Sequence, residues 1–169
     1  FVYDKLNFRT RAYWGGNTPC IHVDTGSADY LILDGGSGLR ALAKEIMAKK
    51  ISGATFHIFL SHFHYDHIQG IPFFAPAYAP SNRVVFHGGH QEIEKHLRAQ
   101  MSEPFFPIGF DTLGAEISFE EHKPGDVIEV CDSRITLFQQ NHPGLSYGYR
   151  VENQGKAMVY ATDCEHTNE

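Results

Sequence analysis

Apolar and polar positions alternate in short runs near both ends of the chain and change to a helical period between them. Residues 18–25 and 29–34 read as two strands, with Gly26 and Ser27 marking the turn of a hairpin. In 38–50, Leu39, Leu42, Ala43, Ile46 and Met47 recur at helical spacing, and Arg40, Lys44, Glu45, Lys49 and Lys50 fill the rest of the wheel. That pattern predicts an amphipathic helix lying on a sheet. TFHIFL at 55–60 predicts a buried strand, and the polar cluster SHFHYDH follows it at once. Residues 68–80 are rich in apolar side chains, but Pro72, Pro76 and Pro80 limit them to one or two helical turns and then a loop.

Residues 83–87 predict another strand and 91–101 a second helix, with Ile93 and Leu97 on one side, before Pro104 and Pro107 enforce a loop. The rest is strand-like: 116–120, 126–130, 134–140, 146–152 and 156–162, the last two joined by a turn at Asn153, Gln154 and Gly155. There is no repeat of fixed period and no low-complexity linker. Alternation of helix and strand early, and strands late, predicts an α/β fold of sheets covered by helices.

The 169 residues fit a single domain, and 42% hydrophobic with 20% charged residues is ordinary globular usage, which disfavours disorder and disulfide scaffolds. No apolar run approaches the roughly 20 residues of a membrane span, so no membrane partner is expected. Cys20, Cys131 and Cys164 are odd in number and lack CxxC spacing, so neither a disulfide framework nor a cysteine zinc site is indicated, and a reducing, cytoplasmic setting is expected. The net charge of −6 gives no indication of nucleic-acid binding. Histidine changes the picture: eleven is roughly three times the usual count, and imidazole is the commonest metal ligand.

The densest constellation is His62, His64, Asp66 and His67 in SHFHYDH, directly after a hydrophobic strand. At this composition roughly 0.002 chance occurrences of HxHxDH are expected, so a merely solvated His-rich loop is a poor account of it. Residues two apart in extended backbone project to one side, which lets His62 and His64 reach one cation. A turn into helix would let Asp66 and His67 reach a second, and imidazole with carboxylate suits Zn, Mn or Fe. Further ligands are offered at strand ends, where ligands converge in layered folds: Asn141 and His142 after strand 134–140, and Asp163 at the end of strand 156–162.

The cluster resembles the HxHxDH signature of the metallo-β-lactamase fold, a superfamily of αββα hydrolases. GGNTPC at 15–20, LILDGGSGLR at 31–40, SHFHYDHIQGIPFF at 61–74, NHPGLSYGYRV at 141–151 and MVYATDCEH at 158–166 are similar, in order and rough spacing, to its phosphodiesterase-like branch, which contains ribonuclease Z and the phosphonate-pathway cyclic phosphodiesterase. The resemblance implies that His62, His64 and His142 hold one metal, that Asp66 and His67 hold another, and that Asp163 bridges both. It implies two divalent ions, zinc first and Mn or Fe as alternatives, and hydrolysis by a metal-activated bridging water, with Asp66 also taking the water's proton. The substrate class it implies is a small-molecule or nucleotide phosphodiester, with a homodimer as the default assembly. The family also places one more ligand histidine on a strand well beyond Asp163, so the single four-layer αββα domain at 1–169 is expected to lack its first strand and its C-terminal part. Thioester or lactam hydrolysis on the same scaffold, and a non-catalytic metal-binding scaffold, are the rival functions. His64 stands where the flavodiiron oxidoreductases of the superfamily carry glutamate, which argues against oxygen or nitric oxide reduction.

Asp34 has two readings, a carboxylate that orients a ligand histidine and a turn residue before Gly35 and Gly36. Gly35, Gly36 and Gly38 lack the Walker lysine and the GxGxxG spacing, so they predict a tight turn into a helix. His22, His57, His87, His90, His96 and His122 have no ligand-type neighbours at coordinating spacing and are expected to be surface or satisfied structural groups. His166 is read as a polar residue near the chain end ahead of a proton donor. Arg150 would bind phosphate only if strand alternation turns it toward the metals. Phe73, Phe74, Phe105, Phe106 and Phe110 are expected to pack in the core more than to line a cleft.

Overall fold

In the computed structural model of the protein, residues 16–165 are described. They form β1 Ile21–Val23, β2 Tyr30–Leu33, α1 Gly38–Ala48, β3 Thr55–Leu60, α2 Tyr65–Ile68, β4 Arg83–Gly88, α3 Ile93–Gln100, β5 Glu116–Glu121, β6 Val127–Val130, β7 Ser133–Gln140, β8 Ser146–Asn153 and β9 Lys156–Tyr160. Short 3-10 turns at Ile71–Phe73 and Ala75–Tyr78 take the proline-broken stretch after α2. His166 lies outside the described residues.

Every residue of β2 is buried, as a strand covered on both faces requires. Ile32 of β2, Phe56, Ile58 and Leu60 of β3, and Val84 and Phe86 of β4 meet Leu39, Ala43 and Ile46 of α1, Ile68 of α2, and Ile93 and Leu97 of α3 in one core. Leu31, Leu33 and Phe59 point the other way and meet Ile135, Leu137, Tyr147, Tyr149, Val151 and Tyr160 in a second core. The first core is a helix–sheet interface and the second a sheet–sheet interface. Among the described residues the layers are therefore α, β and β, and no helix contributes to the second core. No described helix is long and apolar enough to cross a membrane.

The first sheet has the order β1-β2-β3-β4-β5, with β1 antiparallel to β2 and the remaining neighbours parallel. The second runs β6-β7-β8-β9, antiparallel throughout. Two consequences place the site. The parallel pairing of β2 and β3 puts the loops after both, carrying Asp34 and Ser61–His67, at one end of the sheet. In the second sheet β7 and β9 flank β8 and run the same way, so the segments after them, with His142 and Asp163, also share an end. The two ends are joined to each other: the Tyr147 amide donates to Ser61 O at 3.0 Å and the Tyr149 hydroxyl to Leu60 O at 2.6 Å.

Candidate metal centre

At this joined end β3 stops at Leu60, and the chain runs extended through His64 (φ −60°, ψ 147°) before turning into α2. The extended stretch sends His62 and His64 to one side, and the first turn of α2 carries Asp66 and His67. Glycines hold this turn against β2. Gly35 N donates to His67 O at 2.8 Å, and Gly70 N donates to Gly35 O at 2.8 Å. A Cβ on Gly36 would run into Asp66 O, Pro19 O and Thr18 Oγ1, which are backbone and hydrogen-bonded atoms that cannot step aside. Gly36→Ala is therefore expected to cost about 1–3 kcal/mol through overpacking, read from urea unfolding. A loss below about 0.5 kcal/mol would mean the loop yields freely.

Six side chains that the sequence singles out come together here, in two groups. His64 Nδ1 lies 2.9 Å from His62 Nε2 and 3.1 Å from His142 Nε2, and Asp163 Oδ2 lies 3.6 Å from His62 Nε2 and 3.8 Å from His142 Nε2. In the second group, His67 Nε2 is 3.4 Å from Asp66 Oδ2 and 3.3 Å from the same Asp163 Oδ2. Asp163 belongs to both. Asn141 is not among these donors: its side-chain amide donates to Glu165 O and its carbonyl accepts from Glu165 N.

Neighbouring hydrogen bonds fix which nitrogens carry protons. Asp34 is fully buried, and its carboxylate accepts from Ser61 N and Ser61 Oγ, from the Tyr160 hydroxyl and from His67 Nδ1, each at 2.7 Å. With Nδ1 protonated toward Asp34, His67 presents a lone pair at Nε2, a buried atom without a hydrogen-bond partner that faces two carboxylates. Lone pair against carboxylate is repulsive unless a cation or a proton stands between them. His62 Nδ1 donates to Ser61 Oγ at 3.0 Å, because that hydroxyl spends its own proton on Asp34, and His62 Nε2 is likewise left as an acceptor.

Electrostatics follow from these contacts. Burial, with His67 and His64 beside it, pushes the His62 imidazole down to about 4, so it stays neutral near pH 7. Burial also works against protonation of His67, yet the Asp34 hydrogen bond and the charges of Asp34, Asp66 and Asp163 outweigh it and raise its pKa. The same negative field favours a divalent cation. Four imidazoles and two carboxylates, with the orphaned His67 Nε2 among them, make a nitrogen and oxygen donor set that fits such an ion.

Both readings of Asp34 hold, since it sits at φ 61° in the turn and also anchors His67. Arg150 alternates with buried Tyr149 and Val151, so it lies on the opposite face of its sheet and pairs with Glu152 at 2.8 Å. It is not among the converging groups. Phe74 and Phe110 are buried and Phe106 packs on the first core, whereas Phe73 and Phe105 are exposed. Sequence reasoning passed over Ser61 and Tyr160, whose only signal was a hydroxyl next to the motif and a tyrosine closing a strand near Asp163. It also set His57, His87 and His122 apart as lacking ligand-type neighbours, and the structure corrects this: strand pairing brings them together with Glu120.

Comparison with known proteins agrees with this architecture. A family model described as a beta-lactamase superfamily domain matches residues 20–169. A ribonuclease Z of Haloarcula marismortui is 26% identical over 147 residues, covering 83% of this chain and 43% of that protein, so the chain spans less than half its length. Among solved structures, the metallo-beta-lactamase fold protein YhfI from Bacillus subtilis matches with a TM-score of 0.64 and 20% identity, covering 89% of this chain and 56% of that one. The short form of human tRNase Z matches with a TM-score of 0.56 and 14% identity over 84% of this chain and 61% of that one. These two likenesses are of fold.

Proposed function

The chain belongs to the beta-lactamase superfamily, and on that footing we propose that it is a metal-dependent hydrolase of phosphodiester bonds. The observation that carries the reading is one carboxylate, Asp163, shared between a three-histidine group and the Asp66–His67 pair. We assign His62, His64 and His142 to one divalent cation, Asp66 and His67 to a second, and Asp163 to both, with zinc the ion this donor set suits first. The similarity to a protein named ribonuclease Z supports a phosphodiester over a thioester or lactam substrate. A reducing, cytoplasmic setting is part of the same reading, supported by the free cysteines Cys20, Cys131 and Cys164.

Two such cations, when bound, supply positive charge that polarises a phosphoryl oxygen and acidifies a water. The chain's own groups do the rest. His62 and His67 are buried and their rings are held by Ser61 and Asp34, so their Nε2 atoms are aimed before any substrate arrives. Asp66 is exposed, with 52% of its side-chain surface accessible, and stands where it can take the proton of an attacking water. His64 is also exposed, so the centre is open to solvent at both of its residue groups.

Hydrolysis of a chromogenic phosphodiester by protein reconstituted with Zn²⁺ or Mn²⁺ tests the reading, with Asp66→Ala beside it. Turnover by the native protein and a fall of about 10²–10³-fold in the variant are expected. Equal turnover in both would remove Asp66 from the chemistry. No turnover by the native protein with two ions bound would move the substrate class to thioesters or lactams.

A further inference from the structure

On the first sheet a second group of ligand-type side chains lies outside the centre described above and shares no residue with it. Strand register creates it. His87 pairs directly with Glu120 across β4 and β5, and His122, two residues on in extended chain, projects to the side of Glu120. The ladder continues that far, since His122 N donates to Gly88 O at 2.8 Å. His87 Nδ1 then lies 3.1 Å from His122 Nε2 and 3.4 Å from Glu120 Oε2, and the last two atoms are 3.9 Å apart. A circle through three atoms at those separations has a radius of about 2.0 Å, the length of a zinc–nitrogen or zinc–oxygen bond.

We propose that His87, Glu120 and His122 form a separate site for a first-row divalent cation such as Zn²⁺, one that clips the edge strand β5 to β4. The supports around it are those a ligand set needs. His87 is fully buried and its ring stacks on Phe59 with centroids 4.2 Å apart and planes 8° apart, which fixes its orientation. Its Nε2 lies 3.0 Å from His57 Nδ1, so Nε2–H can donate to His57 and leave the Nδ1 lone pair facing His122 and Glu120. Glu120, with about half of its side-chain surface exposed at 49%, opens the site to solvent and gives an ion a way in. Two imidazoles and one carboxylate suit zinc, manganese or iron and leave positions for water. The rival occupant of the same spot is a proton shared between His87 Nδ1 and His122 Nε2.

Metal counting separates the two. Protein stripped with chelator and dialysed against Zn²⁺ is analysed for ions per chain, as the native protein and as the Glu120→Gln/His122→Ala double variant, with far-UV circular dichroism as the check on folding. One ion fewer in the double variant is expected. His57→Phe, which removes the acceptor for His87 Nε2–H, is expected to weaken the same ion by about 10–100-fold in competition with a chelator. Should the double variant not fold, Glu120→Gln alone is expected to weaken that ion at least tenfold. An unchanged ion count in a folded double variant, or unchanged affinity in Glu120→Gln, would overturn the site and leave the shared proton. The count does not depend on what the protein hydrolyses.

Discussion

Asp34→Ala is expected to lower the unfolding free energy by about 3–5 kcal/mol, seen as a lower urea midpoint at unchanged slope. Asp34 has no exposed surface, and its carboxylate takes four hydrogen bonds, from Ser61 N and Oγ, His67 Nδ1 and the Tyr160 hydroxyl. These donors come from the end of β3, from α2 and from β9, so one side chain ties together both sheets and the motif loop. Alanine takes the 2.7 Å acceptor from all four buried donors and leaves only the Ser61 Oγ contacts with His62 Nδ1 at 3.0 Å and His67 Nδ1 at 3.3 Å, so a desolvation cost falls on the folded state. The variant also frees the His67 ring, so affinity for an ion at the Asp66–His67 pair should fall about 10–100-fold. Asp34→Asn separates shape from charge: it keeps the volume but turns one oxygen into a donor facing donors, and should lie between the two. A loss below about 1 kcal/mol in Asp34→Ala would mean that water or rearrangement satisfies those donors, and the anchoring role would fall.

What the sequence made legible follows the range of the physics involved. Local periodicity located α1, and its Leu39, Ala43 and Ile46 are buried as the wheel requires, although Met47 is 52% exposed because the stripe this helix covers is narrower than the apolar set. Alternation located the strands of the second sheet almost to the residue. The first run at 18–25 shortened to Ile21–Val23, since Thr18 is occupied in hydrogen bonds with Ser37 instead of a ladder. Pairing order was not legible. β5 reads like the strands that follow it, yet it joins β4 in parallel at the edge of the first sheet, a choice made by burying Ile117 and Phe119 on the helix side. For the same reason the HxHxDH histidines, five residues apart at most, could be read as a group. His57, His87 and His122 could not, because only the register of three parallel strands brings them together.

Asp163→Ala is expected to have the largest effect on hydrolysis, a fall of about 10⁴-fold, together with the loss of one bound ion. Its Oδ2 is the atom nearest to both groups, 3.3 Å from His67 Nε2 and 3.6 Å and 3.8 Å from His62 and His142. Without it, His62, His64 and His142 still offer three nitrogens to one cation, which is a sufficient set. Asp66 and His67 alone offer two donors, which is not, so the ion lost should be theirs. Because Asp66→Ala disables the same ion, the two substitutions should not add. The double variant should be about as inactive as Asp163→Ala alone, as expected for groups that act as one unit. Full additivity would show that Asp66 and Asp163 serve different ions, and activity within tenfold of native in Asp163→Ala would remove the shared carboxylate from the mechanism.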